Sequence, residues 1–407
     1  MTSIVQYAPR FSVAAAAQAA RDLFGVQGRL SPLPSERDQN FKISVPDGDG
    51  WELKIANAGE SRESLDFQNQ VMRYLERHRK YFQKNGPPSP QIVSSREGDD
   101  IATLKDAQGK PYFIRLLRYV PGKPLARVRP HDEGLMRSLG DFFGRVDAVL
   151  GDFDHRAAHR KFHWDLKQAA AVVTERIRFI HAPARRGLVA RFLERFCAKT
   201  QPRTGDLPQS VIHNDANDYN VLVTCDDAWR HRVAGVIDFG DMVYTHTVSE
   251  AAIACAYAML DKKDPLTTAG RVVAGYHAAR ALSAAEVSVL FDLICMRLCM
   301  SVCHSAHQGH AEPDNAYLRI SEEPVWRLLR QLEPIHSRLA EYLFRDACGM
   351  QPVPRSEAVV GWLEAGKQLA APVLAHRVIP KGYLHGSQRE AVESLIERLV
   401  EEVVVPG

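Results

Sequence analysis

Nowhere in the 407 residues do about 20 apolar side chains follow one another, so no membrane-spanning helix is expected. Long runs of one charge sign are missing too. The 52 Lys and Arg stand against 49 Asp and Glu, a formal charge of +3, which leaves no footprint for nucleic acid and fits a small-molecule ligand better. Cysteine is scarce: seven thiols, an odd number spread through a long chain without small-domain spacing, argue against a disulfide framework. They point to a reducing compartment, most simply the cytoplasm. The opening MTSIVQYAPR has neither the basic start nor the unbroken apolar stretch of a secretory signal, and the alanine-rich run behind it is interrupted by Gln18, Arg21 and Asp22. Internal repeats and low-complexity tracts are also missing.

What the chain does have is apolar content. Hydrophobic residues make up 45% of it, enough for a large core and, at about 100–200 residues per domain, for roughly two domains. A Ser12 cap and apolar spacing up to Gly25 predict a helix over 12–24. Phe41, Ile43 and Val45, then Trp51, Leu53 and Ile55, alternate with polar residues on either side of a Pro/Asp/Gly turn, which predicts a β-hairpin. Lys54 then points away from the face that Leu53 and Ile55 share. A helix over 62–82, a Pro/Gly break at 85–90 and strands near 101–105 and 112–118 complete a small α+β lobe, 1–118. From 119 to 350 helical periodicity dominates, with helices predicted at 133–149, 164–178, 186–198, 248–261, 267–279, 283–308 and 323–346. The expected exception is a single hairpin, 221–224 with 233–237. Residues 351–407, with helical patterns at 355–370 and 387–402, read as an extension or linker. Their apolar ending reads equally as a fragment end or an ordinary tail.

The chemistry concentrates in His213-Asn214-Asp215-Ala216-Asn217-Asp218-Tyr219-Asn220, followed later by Ile237-Asp238-Phe239-Gly240-Asp241. Apolar segments enter and leave the first motif, so a polar loop is held between buried stretches, where a scaffold can fix its side chains. Asn220 opens one strand of the expected hairpin and Asp238 closes the other. Antiparallel pairing brings both oxygen-bearing side chains to the same end. Magnesium takes hard oxygen ligands, one or two of them from protein and the rest from phosphates and water. Asp215 would lie beside that metal and accept or orient the proton of an attacking hydroxyl. Lys54 is the candidate cation for the non-transferring phosphates, held by Asp66 or Glu63 of the next helix, Asp66 lying deeper in it.

At these residues the chain resembles the aminoglycoside/choline kinase superfamily, over roughly 10–345. That resemblance implies a bilobal, protein-kinase-like α+β fold, with an antiparallel sheet in the small N-terminal lobe and a larger helical C-terminal lobe. It implies that Asp215 is catalytic, Asn220 and Asp238 bind Mg2+, Lys54 binds the α- and β-phosphates, and His213 supports the loop. The segments Ser35-Glu36-Arg37-Asp38-Gln39-Asn40-Phe41, Glu52-Leu53-Lys54, Arg115-Leu116-Leu117-Arg118-Tyr119-Val120-Pro121-Gly122 and Trp164-Asp165-Leu166 look most like the hydroxylysine kinase-like branch. Members of that branch act on small amino alcohols. In bacteria similar kinase domains begin longer chains that carry peptidase-like and aminotransferase-like domains, which implies such a fused or adjacent domain here. Leu117 and Tyr119 would belong to the hinge that offers backbone groups to the base of ATP or GTP; hydroxylysine kinases favour GTP.

One departure from the protein-kinase pattern stands out: no glycine occurs from 31 to 40, where a phosphate-covering loop belongs. Ser35, Asp38, Gln39 and Asn40 either close over the nucleotide through side chains or form an ordinary polar turn. Asp241, Tyr244 and Glu250 are the candidates for meeting an acceptor, Glu250 alternatively bracing its own helix. Arg297 could meet an acceptor carboxylate, whereas Arg160 reads as a surface or inter-lobe charge. Cys295, Cys299, Cys303, His304, His307 and His310 share an apolar helix, which reads as buried thiols rather than zinc ligands. The expected activity is transfer of a γ-phosphate to the hydroxyl of a hydroxylysine-like acceptor. Ethanolamine, choline, homoserine or an aminoglycoside are the alternative acceptors, and a non-catalytic nucleotide-binding module is the alternative from another class.

Overall fold

The computed structural model describes residues 8–35, 37–46, 48–82, 89–226, 228–311 and 322–354. It divides into two compact units, Met1–Cys348 and Gly349–Gly407. The helical patterns expected at 355–370 and 387–402 lie outside the described residues.

The first unit begins with α1 (Val13–Phe24). Ser12 Oγ accepts the Ala15 amide proton and Gly25, at φ 72°, ends the helix in the left-handed conformation. Strands β1 (Arg29–Leu33), β2 (Gln39–Val45), β3 (Gly48–Ile55), β4 (Ile92–Val93), β5 (Ala102–Lys105) and β6 (Pro111–Arg118) form one antiparallel sheet in the order β1-β2-β3-β6-β4, with β5 also on β6. Period-2 alternation sorts its faces. Phe41, Ile43, Leu53, Ile55, Ile114 and Leu116 pack with Ala16, Ala20 and Phe24 of α1, while Asn40, Lys54 and Arg115 share the other face, Asn40 opposite Lys54 and Lys54 opposite Arg115. Helix α2 (Arg62–Arg77) lies on that second face: the buried Arg115 guanidinium donates to Leu65 O, Asn69 Oδ1 and Gln68 Oε1 at 3.3, 2.8 and 2.8 Å.

Beyond β7 (Lys123–Pro124) come α3 (Glu133–Leu150), α4 (Ala169–Arg176), α5 (Pro183–Arg195), α6 (Val248–Ala258), α7 (Pro265–Ala279), α8 (Ala284–Ala311), α9 (Glu322–Leu332) and α10 (Ser337–Ala347). The expected single helix over 323–346 is two, because Pro334 cannot continue a helix and the chain turns between α9 and α10. The expected single hairpin is also incomplete. β9 (Val221–Cys225) and β10 (His231–Val236) pair as read, but β7 adds to β9, and β8 (Gln209–Ile212) pairs with β11 (Val243–His246) in a second small sheet. By length and composition α8 could cross a membrane, yet 89% of its apolar window is buried inside the fold. Its Cys295, Cys299 and Cys303 sit in that core, and all seven cysteines are free thiols.

Helices α3 and α7 meet backbone to backbone. A Cβ added at Gly140 would stand 1.8 Å from Val272 O, and one at Gly275 would stand 2.0 Å from Arg137 O. Gly140→Ala or Gly275→Ala is therefore expected to lower stability by about 1–3 kcal/mol, the overpacking cost outweighing alanine's better helix propensity. Gly270→Ala, on the same α7 but 3.9 Å from its nearest neighbour, Ala347 Cβ, is expected to gain up to about 1 kcal/mol. Urea denaturation of the three variants checks the contrast.

Candidate active site

Two register facts assemble the site. Val236 lies opposite Val221, and the Ile237 amide donates to Asn220 O at 3.0 Å, so Asn220 and Asp238 come to one end of the β9–β10 ladder. Ile212 lies opposite Val243 in the β8–β11 pair, which lays the 213–215 loop beside the 240–242 turn. Asn214 Nδ2 ties them, donating to Asp241 O at 3.0 Å. Asn214 and Asp238 both have left-handed backbones, φ 65° and 64°, a conformation that Asn and Asp tolerate better than most residues and that concentrates strain at this junction.

Asp215 is the most heavily engaged group. Its Oδ2 accepts from Asn220 Nδ2 at 2.7 Å and Asn217 Nδ2 at 2.9 Å, and Arg297 Nη2 donates to Oδ1 at 3.3 Å. Burial and the nearby Asp241 carboxylate push Asp215 up to about 7, against the pull of Arg297. A carboxyl so poised can take up and return a proton near neutral pH. His213 is fully buried between Phe143 and Phe239, and its Nδ1 accepts the Asp215 amide at 3.3 Å. Burial drives its pKa down to about 4, so the ring is neutral and shapes the loop.

Asn220 spends its amide hydrogens on Asp215, side chain and carbonyl. Its Oδ1 is left without a protein donor among the described residues. Asp238 is exposed in the cleft, and although burial of the surrounding site opposes ionisation, Lys54 and Arg37 hold its pKa below the ordinary carboxylate range. One amide oxygen and one ionised carboxylate at one strand end fit a magnesium ion that keeps phosphate and water ligands.

Lys54 faces these groups from β3. Burial works against its ammonium, but Asp238 and Glu52 outweigh it and raise its pKa. Among the described residues it has no hydrogen bond or ion pair. Here the expectation for α2 needs correction. Asp66 does not hold Lys54; its Oδ2 lies 3.6 Å from His155 Nε2, and Glu63 pairs with Arg156. The face that α2 turns to the sheet carries Gln68 and Asn69, which bind Arg115. Arg115 and Glu52 were not anticipated, although strand alternation alone puts both on the Lys54 face.

The remaining expectations fare unevenly. Asn40 is buried on β2 with its Oδ1 unpartnered. Leu117 is a buried residue of β6, and the Tyr119 amide is already committed to Gly50 O at 3.1 Å while its ring lies under the Lys42 ammonium. Tyr119 therefore keeps its carbonyl, ring and hydroxyl, but not its amide, for a base. Tyr244 packs against His159 with ring centroids 4.5 Å apart and the planes tilted by 32°. Asp241 Oδ1 takes an ion pair from Arg37 at 2.8 Å. Glu250 is a correction: it is fully buried, and its Oε2 accepts the Asn214 amide at 2.8 Å, so it braces the loop from below instead of facing an acceptor. Arg160, read as a surface or inter-lobe charge, is half-buried, and its Nη2 donates to Gly240 O at 2.7 Å and Met242 O at 2.9 Å. Arg297 is almost wholly buried over the Trp164 ring, 4.5 Å from its centroid. Asp165, within the Trp-Asp-Leu element, accepts the Thr245 hydroxyl at 2.6 Å and so fixes that segment to β11.

A sheet-bearing lobe whose Lys54 faces Asp238 of the helical side fits a kinase, and the relatives below make the chain a small-molecule kinase. The chain belongs to the APH phosphotransferase enzyme family, whose sequence profile matches residues 29–286. It is 28% identical over 358 residues to a hydroxylysine kinase of Mus musculus, covering 83% of this chain and 93% of that protein. It is 27% identical over 359 residues to one of Bos taurus, with the same coverage. Among solved structures, an amicoumacin kinase in complex with AMP-PNP and Ca2+ superposes with a TM-score of 0.59 at 16% identity, covering 81% of this chain and 96% of that one. A microcompartment-associated aminopropanol kinase also gives 0.59 at 16% identity, covering 80% and 100%. Both share the fold.

Proposed function

We propose that the protein transfers the γ-phosphate of ATP or GTP, with Mg2+, to the hydroxyl of a small hydroxy amino acid, hydroxylysine foremost. The observation that carries this reading is the convergence of Asp215, Asn220 and Asp238 at one strand end, with the uncommitted Lys54 ammonium opposite. When bound, the metal neutralises phosphate charge. Asn220 and Asp238 hold it, Lys54 holds the non-transferring phosphates, and Asp215 orients the acceptor hydroxyl and takes its proton. The transfer is a direct in-line displacement, driven mainly by positioning and charge.

The acceptor class is supported by charges around the 240–242 turn. Asp241 offers a carboxylate to an ammonium. Among the described residues Arg160 hydrogen-bonds to backbone carbonyls and pairs with no carboxylate, which leaves its charge for an acceptor carboxylate. The hydroxylysine kinases named above are consistent with a zwitterionic acceptor. The seven free thiols fit a reducing, cytoplasmic setting.

A coupled nucleoside-diphosphate release assay with Mg-ATP and Mg-GTP tests the reading across 5-hydroxylysine, threonine, homoserine, ethanolamine, choline and kanamycin. Hydroxylysine is expected to stimulate release at least tenfold above the others. Stimulation by kanamycin or choline, but not by any amino acid, would overturn the acceptor assignment.

A further inference from the structure

The glycine-free loop between β1 and β2 puts one side chain across the cleft. Arg37 Nη2 forms its 2.8 Å ion pair with Asp241 Oδ1, and its guanidinium lies over Gly240, 3.8 Å from where a Cβ would stand. The base of the loop is fixed. Asp38 Oδ1 accepts the Asn57 amide at 2.9 Å, Asn57 Nδ2 donates to Arg37 O at 3.2 Å, and Asp38 N–H donates to Ser35 Oγ at 3.2 Å. Asn57 lies two residues beyond the strand that carries Lys54, so these hydrogen bonds tie Arg37 and Asp38 to that strand while the Arg37 side chain reaches to Asp241. That side chain is 40% exposed while Asp241 is 13% exposed. The side chain is therefore anchored at its base, partly open to solvent, and placed with its Nη2 over the turn that leads out of Asp238.

We propose that Arg37 is a phosphate-binding residue: in the free protein it rests on Asp241, and with a nucleoside triphosphate in the cleft its guanidinium exchanges that carboxylate for the terminal phosphate. The inference rests on the proposed nucleotide site and adds to it a cation that a strand lysine alone does not supply. The Arg37 side of the pair is 40% exposed, so solvent weakens it, although Asp241, 13% exposed, resists losing its partner. A guanidinium matches phosphate oxygens with two parallel, charge-assisted hydrogen bonds, which are stronger. Where other kinases cover phosphates with glycine-loop amides, this loop has no glycine and offers an arginine. The exchange also frees the Asp241 carboxylate on the acceptor side.

Calorimetric titration without acceptor tests this on the full chain, using Mg-ATP, Mg-GTP, their diphosphates and the bare nucleosides. Arg37→Met is expected to weaken the preferred triphosphate about 10- to 100-fold, its diphosphate at most threefold and the nucleoside not at all. Asp241→Asn is expected to tighten the triphosphate several-fold, and that gain should vanish in the Arg37→Met background, the mark of competition for one guanidinium. Equal losses for triphosphate and nucleoside, no loss at all, or an Asp241→Asn gain that persists without Arg37 would each overturn the exchange. Wild-type protein that binds neither triphosphate would refute the nucleotide site itself, a result separable from any behaviour of the variants. Arg37→Lys should recover part of the triphosphate affinity but not the two-pronged contact.

Discussion

Asp215→Asn is expected to lower turnover about 10^3-fold while nucleotide affinity stays within about threefold of wild type. A positioned general base contributes about 10²–10⁴-fold, and asparagine keeps the shape of Asp215 while its Nδ2 replaces one of the two oxygens that the three surrounding donors use. Affinity should hold because Lys54, Asn220 and Asp238 are untouched. Stability should move little, for two opposing reasons. Asparagine has one acceptor oxygen where Asp215 uses two, a loss of about 1 kcal/mol per bond. Against that, the folded carboxyl titrates at about 7, above its ordinary 3.8. An acid whose pKa rises on folding destabilises the fold once pH exceeds the unfolded value, increasingly up to the folded one. The substitution removes that penalty, so the variant's stability relative to wild type should improve as pH rises from about 4 to about 7 and then level off. Single-turnover rates with the preferred acceptor, paired with urea melts at pH 5 and pH 8, check both halves. Residual turnover within tenfold of wild type would mean that another group handles the proton.

The convergence of Asn220 and Asp238 was legible in the sequence because the two are close in the chain and joined by a hairpin: once 221–224 and 233–237 pair, they have nowhere else to be. The face on which Lys54 lies was legible by strand alternation alone. Asp66 was misassigned because a helix's rotation about its axis is set by tertiary packing. Leu65, Gln68, Asn69 and Met72 turn inward in α2, which leaves Asp66 to His155. Glu250, read as meeting an acceptor or bracing its own helix, braces the 213–215 loop for a related reason. A carboxylate in a helix's first turn is usually exposed, and only the β8–β11 pairing, two four-residue strands too short to show a periodic pattern, carries it beneath the Asn214 amide. Arg37 drew no attention because its partner lies far along the chain, and nothing local distinguishes it from any loop arginine.

Arg297→Met is expected to be the most damaging single change in the helical lobe, lowering stability by about 3–5 kcal/mol and turnover about 10²-fold. The guanidinium sits in the middle of an apolar helix, and its partners are Asp215 Oδ1, the Trp164 carbonyl at 3.1 Å and the Trp164 and Tyr257 rings. Burial opposes its charge, yet Tyr257 and Asp215 raise its pKa above the usual value. Removing one member of a buried pair leaves the other uncompensated, which is where the large stability loss comes from. The turnover loss has a definite sign with pH. Arg297 lowers the pKa of Asp215, so without it the carboxyl holds its proton to higher pH and the acid limb of the rate profile moves upward. Repeating the substitution in the Asp215→Asn background separates pairing from packing. If pairing is the source, Arg297→Met should destabilise that background by clearly less than it destabilises wild type, because no buried carboxylate is stranded. An equal loss in both backgrounds would place the contribution of Arg297 in its packing against Trp164 and Tyr257, and its hold on Asp215 would then be incidental to stability.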